Sequence, residues 1–142
     1  MDMDAHKVNE IIKNNPRFAS PFTEGCGYYI SEVNDEGIVE KITDKRFVEL
    51  YWTQLQYAEK NIDVLVQKGF QACFFDFYGV NKGVVKSPND MCQRLRVDTF
   101  VLIIRNNVAT IASCLSNDEF MFGHFIEYQW DCDWNMLSSY IC

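Results

Sequence analysis

The residues of this chain that could do chemistry are few and poorly placed for it. Glu24-Gly25-Cys26-Gly27 sets a thiol between two glycines, where a backbone can come close to a substrate. A thiol nucleophile needs a base beside it, and the two histidines, His6 and His124, have no spacing that brings either to Cys26. A loop cysteine is the simpler reading. A metal site would draw on His124, Glu127, Asp131 and Asp133. On a strand alternate side chains leave from opposite faces, so His124 points away from the other three. Carboxylates on one strand face hold a hard cation only with ligands from elsewhere. Asp76, between Phe75 and Phe77, would have a raised pKa if buried alone; an outward-facing side chain, or one paired with Arg94 or Arg96, is simpler. Gly79-Val80-Asn81-Lys82-Gly83 is not completed to a phosphate loop. These residues predict no enzyme, no metal and no cofactor.

A different pattern runs from Phe120 to Trp134. Its even positions include Phe120, Phe122, Ile126, Tyr128, Trp130 and Trp134, and its odd positions from 127 are Glu127, Gln129, Asp131 and Asp133. Read as a strand, this gives one aromatic and one acidic face. From Asn106 to Cys142 there is no Lys or Arg, against Asp118, Glu119, Glu127, Asp131 and Asp133. Aromatic anchors beside carboxylates are ingredients of a protein interface, although Tyr128, Trp130 and Trp134 on a shared face are first of all core residues. The predicted partner-binding set is Asp118, Glu119, Glu127, Gln129, Asp131, Asp133 and Trp134. Glu32, Asp35, Glu36 and Glu40 are a secondary set that could extend the same surface.

The 142 residues fit one domain, 1–142, and 48% hydrophobic content supplies a core without staples. Net charge is −7, unevenly spread: residues 70–105 carry three acids and five bases, residues 106–142 five acids and no base. A negative field repels phosphate and attracts cationic surfaces, which disfavours nucleic acid or an anionic membrane as ligand. The N-terminus lacks the pattern of a secretory signal and no apolar run is long enough to span a membrane. The six cysteines have no framework spacing, so they are expected reduced and the protein cytoplasmic.

Around these residues the chain punctuates itself. Asp4–Asn14 predicts a short helix ended by Pro16, and Tyr28–Val33 with Ile38–Thr43 a hairpin turning at Gly37. Val48, Tyr51, Leu55, Ala58, Ile62 and Leu65 repeat at helical spacing from a cap at Asp44 to a stop at Gly69. Gln71–Val80 predicts a central strand, and Val84–Cys92 a short strand running into an exposed loop around Ser87-Pro88-Asn89-Asp90. Two strands then flank Asn106-Asn107, the Phe120–Trp134 strand follows, and Asn135–Cys142 is a last helical turn or an edge strand. The expected fold is α+β: a curved antiparallel sheet of about five to six strands packed on one long helix, plus a short N-terminal helix.

That order is similar to the cone-shaped fold of nuclear-transport-factor-like domains. A small acidic α+β chain without catalytic constellation also resembles the bacterial immunity proteins, the antitoxins of contact-dependent growth inhibition and related competition. The resemblance implies a monomer or weak dimer that neutralises a basic toxin domain, such as a nuclease, by occluding it. It does not touch nucleic acid or membrane directly. The alternative reading is a small-ligand or enzymatic domain with a cavity between sheet and helix, watched over by Asp76 and His124.

Overall fold

A computed structural model describes residues 5–18, 27–34, 36–37, 39–41, 45–81, 88–116 and 125–141, with backbone alone for 5, 39–41, 69–81, 88, 89, 91 and 141. Helix α1 (Ala5–Ile12) leads to the hairpin β1 (Tyr28–Val33) and β2 (Val39–Lys41), then α2 (Lys45–Asn81), α3 (Pro88–Arg94), β3 (Arg96–Arg105), β4 (Val108–Ser116), β5 (Ile126–Asp131) and β6 (Met136–Ile141). The six strands form one open sheet in the order β2-β1-β3-β4-β5-β6. This is the α+β arrangement expected, with a long helix on one face.

α2 forms because its apolar residues share a face. Tyr51, Leu55, Ala58, Ile62, Leu65 and Val66 are buried against Phe100, Leu102, Ile111, Tyr128 and Trp130 in one hydrophobic cluster. The buried Tyr51 hydroxyl donates to the Phe100 carbonyl (2.7 Å), and burial pushes its pKa well up. Asn61 breaks the helical dihedrals (φ −118°, ψ 16°). Its side-chain amide donates to the Tyr57 carbonyl (2.9 Å), the acceptor its own N–H would use in a regular helix. The helix bends there and continues.

Three expectations fail here. Gly69 does not stop α2, and Gln71–Val80 is helix rather than central strand. A glycine costs a helix only about 1 kcal/mol relative to alanine, and Phe70, Phe74 and Phe77 fit a helical period as well as an aromatic-rich strand. The loop expected around Pro88 is instead α3: proline suits the first helical position, where no N–H is needed, and Asp90 complements the helix dipole. Finally, β1 runs parallel to β3, pairing Tyr28–Glu32 with Phe100–Ile104, while every other pairing is antiparallel. The helices between them act as a crossover, which is how a chain re-enters a sheet in the same direction. The expected cap at Asp44 and the strand residues 84–87 lie outside the described residues.

The turns behave as their residues dictate. Asn106 (φ 51°) and Asn107 (φ 61°) are both left-handed, the backbone of a two-residue hairpin turn, and join Arg105 to its partner Val108. Gly27 (φ 79°) lets β1 approach β3; a Cβ there would stand 2.6 Å from the Asp98 carbonyl oxygen. Arg17 ties the exit of α1 to the rest, donating to Asp63 Oδ1 and to the Cys92 and Leu95 carbonyls at 2.8–2.9 Å.

Candidate interaction surface

Strand β5 places the site. Ile126, Tyr128 and Trp130 point into the core, at most 1% exposed, and Glu127, Gln129 and Asp131 point to the opposite face. The alternation read from sequence therefore holds over these six residues. The register carries the face outward: Glu127 lies opposite Cys114 on β4 and Tyr140 on β6, and Gln129 opposite Ala112 and Ser138. Glu127 is the hub. Its Oε2 accepts from Gln129 Nε2 (2.8 Å) and from the Tyr140 hydroxyl, and Cys114 Sγ lies 4.0 Å from Oε1.

Beyond Asp131 the strand ends in a turn. Asp131 Oδ1 accepts from the backbone N–H groups of Asp133 and Asn135 (both 2.9 Å), and Oδ2 from Asn135 Nδ2 (3.0 Å). Short polar side chains close turns in this way. The Asn135 side chain, then its backbone N–H, hold the Asp131 carboxyl below the usual aspartate range, with a smaller contribution from Lys68. Asp133 is left exposed at the tip of the turn.

Trp134 corrects the predicted partner-binding set. It takes a left-handed backbone (φ 64°) that turns its ring inward, and it is only 8% exposed. Its indole N–H donates to Gln54 Oε1 (2.7 Å), Gln54 Nε2 donates to the Cys132 carbonyl (3.0 Å), and Tyr57 stacks on it at 5.2 Å. Trp134 is a core residue that fastens the β5–β6 turn to α2. Among the described residues the exposed aromatic on the acidic side is Tyr140, 43% exposed. Sequence reasoning missed Tyr140; its signal was an apolar C-terminal stretch that had to pair with β5.

The secondary set does not extend this surface. Glu32 and Glu36 are exposed, but β1 and β2 sit at the far side of the sheet, with β3 and β4 between them and β5. At about 4.8 Å per strand, β1 is roughly 14 Å from β5. Glu32 is also in register with Ile104, a core-facing residue, so it leaves the sheet on the face opposite to Glu127. Glu40 is the register partner of Glu32. Asp35, Asp118, Glu119, Cys26 and His124 lie outside the described residues, as does the side chain of Asp76.

Other chemistry finds little support among the described residues. No group of three or more His, Cys, Asp or Glu could hold a metal there. Cys92 is buried and Cys114 and Cys132 are half-buried; burial, then the Asp131 and Asp133 charges, push the Cys132 thiol up, which lowers its reactivity. The space between sheet and α2 holds a cavity of about 10 Å³ lined by Phe100, Tyr128, Trp130 and Trp134, room for one water at most. A polar groove of about 490 Å³ lies beside Arg17, Asp63, Arg94 and Arg96. Two of its three arginines are engaged at home, Arg17 as described and Arg94 with Asp90, and Arg96 is exposed.

Comparison with known proteins finds no family model, no curated protein and no solved structure that matches this chain.

Proposed function

We propose that this protein acts by binding rather than catalysis, as an immunity-type inhibitor that neutralises a basic toxin domain, most simply a nuclease, by covering its substrate surface. One observation carries the reading. The outward side of β5 presents Glu127 bonded to the exposed Tyr140, and the turn at its far end Asp131 and Asp133, within a segment that has no Lys or Arg from Asn106 to Cys142. A nuclease holds its substrate with Lys and Arg that neutralise phosphates. A protein surface of opposite sign competes for those same side chains, and complementary charge speeds the encounter. The action belongs in the cytoplasm, where such a toxin meets nucleic acid. Among the described residues no helix is long and apolar enough to cross a membrane. The inhibitor works as a monomer or weak dimer and needs no cofactor.

The alternative, a ligand bound between sheet and helix, has against it the aromatic filling of that space. Ligand pockets run to roughly 300–1,000 Å³, against about 10 Å³ for the cavity lined there by described residues.

The test is capture of the partner from the source cells by tagged protein, at low and moderate salt, with identification by mass spectrometry. One stoichiometric basic protein, retained by wild type and depleted for Asp133→Lys, is the expected result. Capture of nothing, or of a partner indifferent to Asp133→Lys and Glu127→Gln together, would remove the acidic edge from the account. Asp131→Lys is a poor probe, because it also opens the turn that Asp131 closes.

A further inference from the structure

The polar groove beside α3 gathers charge that the fold does not use. Its volume of about 490 Å³ falls in the range of small-molecule pockets, roughly 300–1,000 Å³. A second space, of about 370 Å³, shares Arg17, Asp63 and Gln93 with it. The groove is lined by the cations Arg17, Arg94 and Arg96 against a single carboxylate, Asp63. Two of these cations are neighbours in register. Phe18 forms a parallel bridge with Val97, and the Val97 N–H donates to the Arg17 carbonyl (2.7 Å). Phe18 and Val97 are both buried, so Arg17 and Arg96, one position earlier on each segment, leave toward the opposite side. Like charges at paired positions repel. Arg17 is also fixed in place: Nε donates to Asp63 and Nη1 to two carbonyls, on a side chain 15% exposed. A guanidinium has N–H groups on Nη2 as well, and among the described residues these meet no acceptor. Gln93 and Arg96 are exposed on the same groove, and among the described residues their side chains are likewise unengaged.

We propose that this groove binds a small dianion, a phosphate ester or a dicarboxylate, between Arg17 and Arg96, with the Gln93 amide as a further donor. The planar guanidinium fork matches either oxyanion, and an anion between the two arginines turns their repulsion into attraction. No aromatic ring lines the groove, which suits a compact polar ligand rather than one with a ring to stack. The chain's charge of −7 does not cancel the site. Glu59 and Asp98, just outside it, are bonded to Asn15 and to Ser116 and Thr99. Asp131 lies in the row of Thr110 and Ile103. At about 3.3 Å per residue, the run of β3 from Arg96 to Ile103 is roughly 20 Å, beyond the screening length of about 8 Å at physiological salt. Such a site is independent of the inhibitor reading and of the acidic edge.

The experiment is an NMR titration of the backbone amides of the whole protein with inorganic phosphate and, separately, with succinate, each against sodium chloride at matched ionic strength. The expected result is saturable shifts confined to Arg17 and Gln93–Arg96, absent with chloride. Arg96→Gln removes one charge at an exposed position and is expected to weaken binding on the order of tenfold, the worth of one charge-assisted hydrogen bond. Arg105→Gln, at the far end of β3, is expected to change nothing. Arg17→Ala is a poor probe, because it also takes the donor from the Cys92 and Leu95 carbonyls. Tighter binding of phosphate than of succinate would support the site and assign it to phosphate esters; the reverse would support it and assign it to dicarboxylates. No saturable shift from either at millimolar concentration would overturn the proposal. So would equal shifts with chloride, or equal weakening by Arg105→Gln.

Discussion

Asp131 is the residue on which the acidic edge turns. Its carboxylate is held below the ordinary aspartate range by Asn135 and the backbone N–H groups it accepts from. A carboxyl with a lowered folded-state pKa contributes stability that is present above its unfolded value, about 3.9, and lost as pH falls through the lowered one. The turn should therefore stay closed at neutral pH and loosen only below the usual aspartate range. An NMR titration of the Asp131 carboxyl should give a midpoint under that value, moved up by Asn135→Ala; an unshifted midpoint in wild type would contradict the geometry. Gln54 is the partner behind the turn, buried and bonded both to Trp134 Nε1 and to the Cys132 carbonyl. Gln54→Ala strands two buried polar groups and should cost about 2–4 kcal/mol in urea unfolding; a loss below about 0.5 kcal/mol would mean that water replaces it. At this scale the sequence was half legible. The pairing of Tyr128 and Trp130 inward with Glu127 and Gln129 outward follows from alternation alone. The core position of Trp134 fits the same alternation, but the turn that carries it there, closed by Asp131 with a left-handed backbone at Trp134, does not follow from it.

At the scale of elements, α2 is the test case. Its first half was readable from the stripe Tyr51, Leu55, Ala58, Ile62, whereas its second half was hidden by a glycine and by aromatics that suit either period. Short apolar runs do not separate helix from strand by spacing. The two assignments predict opposite effects for Gly69→Ala. Inside a continuous helix it should stabilise by about 1 kcal/mol; at a left-handed stop it should destabilise, and a lowered melting temperature would contradict the helix. The Asn106-Asn107 turn was legible because so few residue types accept the left-handed backbone there. Asn107→Val puts a branched Cβ at φ 61° and should cost about 1–2 kcal/mol, measured by thermal unfolding; a neutral effect would mean that the turn has another form.

For the whole molecule, composition and charge could be read directly, but topology could not. Nothing in the sequence of β1 says that it lies beside β3 in parallel, since that pairing follows from the crossover through α2 and α3. The same order separates the acids of β1 and β2 from those of β5, so a chain of net charge −7 presents a compact acidic edge rather than one continuous acidic face. The central claim is that this edge meets a cationic partner, and association kinetics test it most directly. The rate constant for binding the captured partner should fall as salt is raised, and Asp133→Lys should both lower it at low salt and flatten that dependence. A rate constant unchanged by Asp133→Lys, with the same salt dependence as wild type, would contradict the account.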